Sequence, residues 1–441
     1  QYFIDVTEAV PELPEPLYDL ARLYVLSGKN LQAIALLKKA KQIRPDVEVL
    51  QLLANAYQEN GQYAEALKHV EEVLVNEPES SVNIKYKGIL LGLLGKHELA
   101  QQAFSQALQM DSTNIEAFIH LIRIDIANGQ IKSAIDKLTA RSEAEGGDNS
   151  ALNQELGDVY RRIGNYAQAQ ALYEKLYSKD QNNGDILGRL AGLFVTQNQT
   201  DKAIELAQEF LKRNSRHGEA HFLLADIFFN NKQIEQSFEH YQLAVKHSQN
   251  KAYVLNQYAL AQKNTNDLDS AILSLERAIG WNDEYLPTYI NLNNAYAAKG
   301  AEKKALALLD SYVDKYDGKE AILVLKGELY RQLEDPKKAE KFYRQSLKHQ
   351  LTRKATFGLF RVLITQKDLN GAVSVIESWL AHSPNDIVAG IARADLHRLQ
   401  GQIKQAIDYY QQMVTKYGKQ PVFFNNMAQI YLQTEQLEQA V

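Results

Sequence analysis

One pattern constrains this chain more than any other. Counted from Val47, it places Leu53, Ala54, Tyr57, Gly61, Ala66, Val70, Val73 and Pro78 at positions 7, 8, 11, 15, 20, 24, 27 and 32 of a unit. The apolar residues fall at helical spacing on either side of the glycine, and no stretch alternates as a strand would. The unit reads as two amphipathic helices joined by a glycine turn, with the proline behind the second. Such a hairpin cannot bury its own apolar face, so copies of it must stack.

Copies fill the chain. Units start at residues 14, 47, 81, 115, 150, 184, 218, 252, 286, 320, 353 and 387, and a truncated thirteenth occupies 421–441. Twelve units between Pro14 and Pro421 average about 34 residues each. Residues 1–13 read as the tail of a preceding unit, with Phe3, Val6 and Pro11 at positions 24, 27 and 32. The chain is therefore expected to begin and end inside a helix and to continue in both directions. The fourth unit fits least well, because Asp125 and Arg141 stand at inward positions and Ser142–Asn149 reads as loop. Lys87 replaces an apolar residue in the third.

These residues resemble the tetratricopeptide repeat, and the resemblance covers essentially the whole chain. It implies an all-α solenoid, a right-handed superhelix whose concave groove is lined by first helices. Small residues at positions 8 and 20 let the two helices cross closely.

Bulk composition narrows the function. Charged residues make up 23% and the net charge is −5, which argues against phosphate-driven nucleic-acid binding. With no cysteine, disulfides, thiolate zinc sites and cysteine nucleophiles are excluded. No apolar run is long enough to span a bilayer; residues 88–95, between Lys87 and Lys96, come nearest.

A catalytic constellation is not found. There is no Gly-x-Ser-x-Gly elbow and no phosphate-binding Gly-x-x-x-x-Gly-Lys-Ser/Thr loop. His217 and His221 with Glu219 between them lack the order of a zinc helix, and Gly95 before Lys96 is a helix cap. No metal, cofactor or enzyme activity is expected in this segment.

Binding is expected on the exposed first-helix positions 2, 5, 6, 9, 12 and 13. Early units are polar there, with Glu48, Gln51 and Asn55, then Glu155, Asp158, Arg161 and Arg162. From the seventh unit apolar and amide residues enter: Phe222, Asp226 and Phe229; Tyr253 and Asn256; Ile290, Asn291 and Asn294. Further on stand Val324 and Arg331, Phe357 and Arg361, Ile391 and Asp395, and Asn425. Apolar anchors supply affinity, and Asn can pair with both N–H and C=O of an extended backbone. Some tetratricopeptide-repeat relatives clamp a C-terminal carboxylate through Lys and Asn at positions 5, 9 and 6. Here Gln51 and Tyr86, or Ile290 and Leu325, interrupt that clamp.

The first reading is a protein-interaction scaffold holding a protein or peptide partner in this groove. In general character the array is similar to the repeat regions of bacterial exopolysaccharide-export proteins and exosortase-associated repeat lipoproteins. That resemblance implies a periplasmic or outer-membrane-anchored protein, with a cytoplasmic one as alternative. A second reading is the substrate-presenting arm of a larger enzyme such as a sugar transferase. A third is a scaffold that self-associates through its open ends.

Overall fold

A computed structural model describes residues 9, 12–316 and 320–434. The expected tail helix before Pro14 and second helix after Gln433 lie outside these residues. Among the described residues there are 25 helices and no strand. In chain order they are α1 Pro14–Leu26, α2 Asn30–Ile43, α3 Val47–Glu59, α4 Tyr63–Asn76, α5 Ser81–Leu93, α6 His97–Met110, α7 Ile115–Ala127 and α8 Ile131–Ala144. There follow α9 Ser150–Arg162, α10 Tyr166–Lys179, α11 Gly184–Thr196, α12 Thr200–Arg213, α13 Gly218–Asn230, α14 Ile234–His247, α15 Lys251–Asn264, α16 Leu268–Trp281 and α17 Leu286–Ala298. The last are α18 Glu302–Tyr316, α19 Glu320–Gln332, α20 Pro336–His349, α21 Arg353–Thr365, α22 Leu369–His382, α23 Ile387–Leu399, α24 Ile403–Tyr417 and α25 Pro421–Gln433. Odd-numbered helices are the first helices of repeats and even-numbered ones the second. The chain divides into two units, residues 1–288 and 289–441.

Each hairpin reverses at position 15. Gly28, Gly61, Gly95, Gly129, Gly164, Gly300 and Gly401 hold positive φ there. So do Asn198, Lys232, Asn266, Glu334 and Lys367, with φ between 56° and 64°. The following N–H bonds back to the carbonyl at position 11, as in Gln62 to Tyr57 at 2.8 Å, Gln233 to Phe228 at 2.9 Å and Asp335 to Tyr330 at 2.9 Å. This six-to-one bond is the Schellman closure, which satisfies an otherwise orphaned helix carbonyl. The reversal is thus a property of the backbone, and glycine is only its most comfortable occupant.

Behind the reversal the two helices cross closely. Position 20 is Ala33, Ala66, Ala203, Ala305 and Ala372 in different repeats, all fully buried. Ser237 stands there in the seventh repeat, and its hydroxyl donates to the Ala225 carbonyl at 2.8 Å. Gly157, at position 8, lies under the Tyr173 ring; a Cβ would stand 2.7 Å from Cε1. Ile122, Leu138 and Leu152 fill the core between successive hairpins of the first unit, and Tyr343, Leu359 and Ile376 do so in the second.

One reading of the fourth repeat needs adjustment. Helix α8 runs to Ala144, so the loop is Glu145–Asn149 and Ser142 lies inside the helix. Its buried hydroxyl donates to Asn153 Oδ1 at 2.9 Å, which anchors the next repeat. Charges at inward positions find partners: Lys137 donates to Asp125 at 2.8 Å, and Arg141 donates to the Ser112 carbonyl at 2.8 Å. The eighth first helix begins at Lys251, one residue ahead of the expected Ala252.

Four histidines of the first unit are packed among its helices. His69 stacks on Tyr57 and His120 on Phe104, with ring centroids 5.5 and 4.7 Å apart. His221 places Nε2 3.2 Å from the Ser215 carbonyl and Nδ1 3.1 Å from His240 Nδ1. The carbonyl can only accept, so Nε2 of His221 carries the proton and His240 donates to its Nδ1. Burial holds all four below the ordinary histidine range. His120 falls to about 4, from burial first and then from Arg123 and Lys85, against an opposing Glu116.

The reversal geometry gives a first prediction. Left-handed backbone costs a side chain about 1–2 kcal/mol, part of which glycine returns through unfolded-chain entropy. Lys232→Gly and Glu334→Gly should each stabilise by about 0.5–1 kcal/mol, and Gly61→Ala should destabilise by about 1 kcal/mol. Urea midpoints of the single variants check this.

Acid gives the second. A histidine with a depressed folded pKa binds protons better when unfolded. Its contribution is therefore complete above about pH 6.5 and is lost as pH falls toward the folded value. Between pH 6.5 and 4 the first unit should lose amide-exchange protection, and His120→Phe should flatten that slope. In the second unit Asp386, drawn down to about 2 chiefly by its Arg353 hydrogen bond, loses its contribution only as pH falls from 3.8 through that value. Protection there should persist to lower pH. An unchanged slope in the His120 variant would refute this assignment.

Candidate partner-binding face

The first helices of repeats three to six carry a chain of charges from one repeat to the next. Lys85 on α5 meets Glu116 on α7. Arg123 on α7 grips the buried Glu155 on α9, with Nε 3.0 Å from Oε1 and Nη2 2.6 Å from Oε2. Asp158 on α9 takes Arg189 of α11, whose Nε also reaches Asp185 at 3.1 Å. Each link joins position 9 or 5 of one repeat to position 6 or 2 of the next. Opposite signs meet at every step, so the ladder links successive first helices without building a strong field, its exposed pairs adding little stability.

A second device ties each first helix to its own partner. Tyr173, Tyr241 and Tyr410, all at position 24, donate their hydroxyls to Asp158, Asp226 and Asp395 at position 9. Burial pushes Asp226 above the usual carboxylate range, although the Tyr241 hydrogen bond opposes this. Tyr241 is raised, first by burial and then by that same aspartate. The fifteen-residue Asp–Tyr spacing is visible in the sequence and was not used there.

An open cleft of about 730 Å³ sits on repeats five to seven. Arg161, Asp185, Gly188, Arg189, Gly192 and His217 line it. Gly184, Gly188 and Gly192 follow one another a turn apart along α11. A Cβ at Gly184 would strike the His217 ring, but nothing lies within 4 Å of one at Gly188 or Gly192. Sequence reasoning missed this strip, although both glycines occupy exposed first-helix positions.

The residues expected to line a groove are placed unequally. Phe222 is half-buried against Tyr241 and Tyr253, with centroids 5.9 and 5.6 Å away, and Phe229 joins the same cluster. Tyr253 remains 38% exposed. Asp226 is committed to Tyr241. Asn256, expected at the surface, is only 2% exposed, because α15 is buried on several faces, its own Ala252, Val254, Leu255 and Tyr258 included.

In the second unit, Ile290 and Val324 come together with Leu325 and Arg353 around a cleft of about 340 Å³. Val324 itself is 8% exposed, so it forms floor more than surface. Asn291 is half-buried and Asn294 exposed. Phe357 is half-buried, its ring covered by the Arg353 guanidinium at 5.1 Å and edged by Phe360 at 6.3 Å. Arg331 pairs with Glu328 at 3.0 Å. Ile391 packs against the core of its repeat, Asp395 accepts from Tyr410, and Arg361 and Asn425 are exposed. Asp386 at the edge of a neighbouring cleft accepts from Arg353, Trp379 Nε1, Val388 N and Ala389 N.

His217 caps α13 by accepting from Ala220 N at 3.2 Å, while His221 turns to His240. The pair therefore does not face a common point. Among the described residues no group of three or more His, Asp or Glu side chains is arranged to hold a metal ion. No described helix is long and apolar enough to cross a membrane.

The chain is 23% identical over 215 residues to TPR repeat-containing protein YpiA of Bacillus subtilis, matching 48% of this chain and 51% of that protein. It thus spans about half the length of that relative. To human anaphase-promoting complex subunit 7 it is 21% identical over 426 residues, covering 93% of this chain and 72% of that protein. Among solved structures, yeast Tom70 is similar over 96% of this chain and 95% of that one, at 15% identity and a TM-score of 0.42. The Cut9–Hcn1 hetero-tetramer matches all of this chain and 87% of that one, at 14% identity and 0.36. Models of the tetratricopeptide repeat match residues 25–85, 162–214, 189–253, 252–285, 321–348 and 392–419. With the twelve left-handed reversals at its helix turns, the chain belongs to the tetratricopeptide-repeat family.

Proposed function

We propose that this chain is a non-catalytic protein-interaction scaffold whose first-helix face takes an extended segment of a protein partner, seated first at repeats five to seven. The observation that carries this is the bare strip at Gly188 and Gly192. Glycine inside a helix costs about 1 kcal/mol relative to alanine. Packing does not call for either residue, since both would tolerate a Cβ. What a bare strip permits is close approach of another main chain. Arg161 at its border supplies donors suited to carbonyl or carboxylate oxygens, whereas Arg189 is held by Asp158 and Asp185. The Ile290–Val324–Leu325 cleft offers an apolar pocket for a side-chain anchor in the second unit.

Family membership supports a binding role. By its name, the human relative is a subunit of a larger assembly. Neither the substrate-arm reading nor self-association has a particular observation in its favour.

Panning a random peptide library against the protein supplies ligands for the test. Gly188→Leu with Gly192→Leu fills the strip while improving helix propensity. Peptides selected on the parent should bind this variant about tenfold more weakly or worse, a loss of at least about 1.4 kcal/mol. Undiminished affinity, with an unchanged helical spectrum, would remove the cleft from consideration.

A further inference from the structure

One contact in the first unit departs from the nearest-neighbour logic of a repeat stack. The turn after the eighth repeat meets the turn inside the first. Glu284 accepts from the backbone N–H of Leu31 at 2.7 Å and of Gln32 at 2.9 Å. Asn282 donates from Nδ2 to the Gly28 carbonyl at 3.1 Å, while its Oδ1 accepts from Glu284 N at 3.0 Å. Arg213, by contrast, reaches Tyr177 in the adjacent repeat.

The geometry is that of a helix cap supplied from a distance. Leu31 and Gln32 are the second and third residues of α2, whose N–H groups an N-cap side chain usually satisfies. Lys29 occupies the N-cap and makes no such bond. The Glu284 carboxylate takes its place and faces the positive end of the helix dipole. Glu284 and Asn282 are 8% and 5% exposed. Gly28 fits the approach closely, because a Cβ there would stand 3.1 Å from Asn282 Nδ2.

We propose that Asn282 and Glu284 form a clasp that closes the first eight repeats on themselves, and that its release opens this unit as a conformational switch. The clasp is polar: three hydrogen bonds join the two turns, and a ligand or partner favouring the open form can shift them. Burial disfavours the Glu284 charge, with Asp283 adding to this, while the two N–H groups and Lys29 oppose it. The proposal does not depend on what binds at repeats five to seven.

The chain has no cysteine, so a pair of introduced ones is unique. Ser27→Cys and Trp281→Cys, both at exposed sites, take spin labels for a dipolar distance measurement. The clasp predicts one narrow, short distance in the parent. Glu284→Ala should replace it with a longer and broader distribution at unchanged helical content. Asn282→Ala, which spares the carboxylate, is the second variant and should act in the same direction. A broad distribution already present in the parent would overturn the proposal. So would a short one that survives both substitutions.

Discussion

Everything in this architecture hangs on a backbone reversal that must occur at the same place in every hairpin. A left-handed residue at position 15 and the N–H to C=O bond across it set the angle at which the second helix returns. Only with that angle fixed do small residues at positions 8 and 20 face each other, and only then can position 24 carry a tyrosine that reaches an aspartate fifteen residues back. Lys232, Glu334 and Lys367 accept the strained conformation. Their neighbours determine the turn so thoroughly that the local preference of one residue is overruled.

This explains what the sequence could disclose. The glycine at 61 with Leu53, Tyr57 and Ala66 around it is a complete local statement of a hairpin, and repetition makes it decisive. Where glycine is missing, apolar spacing on both sides still keeps the register. Exposure was less legible. Asn256 occupies a position that faces outward in a generic repeat, yet α15 is enclosed on several sides. Whether a face is covered depends on what neighbouring elements bring to it, and a single-repeat ruler carries no such information. Phe222 shows the same limit: its partners Tyr241 and Tyr253 come from the following helices.

The first helices serve two purposes at once. Their charged residues lock successive repeats, as Arg123 does with Glu155 and Arg189 with Asp158, and so are unavailable as simple anchors. Aromatics that looked like anchors are partly spent in packing. What remains free on α11 is an absence of side chain, which hydrophobic patterning cannot register. A binding surface defined by missing atoms is found by asking what a Cβ would meet, and at Gly188 and Gly192 it would meet nothing.

The junction at Glu284 alters how the first unit should behave as a polymer of repeats. In an open stack, stability is a sum of unit and interface terms, and a defect is felt only by its neighbours. A contact joining residues some 250 positions apart makes the first and eighth repeats mutually dependent. Loop-closure entropy grows only logarithmically with length, so the span itself is a modest obstacle. The larger obstacle is geometric, because small errors in repeat rotation accumulate along eight hairpins. Closure within hydrogen-bond distance therefore demands that each reversal and each ladder contact hold its angle. A clasp of this kind reads out the summed geometry of the repeats between its two ends, which is the property a scaffold needs if binding at one repeat is to be felt at another.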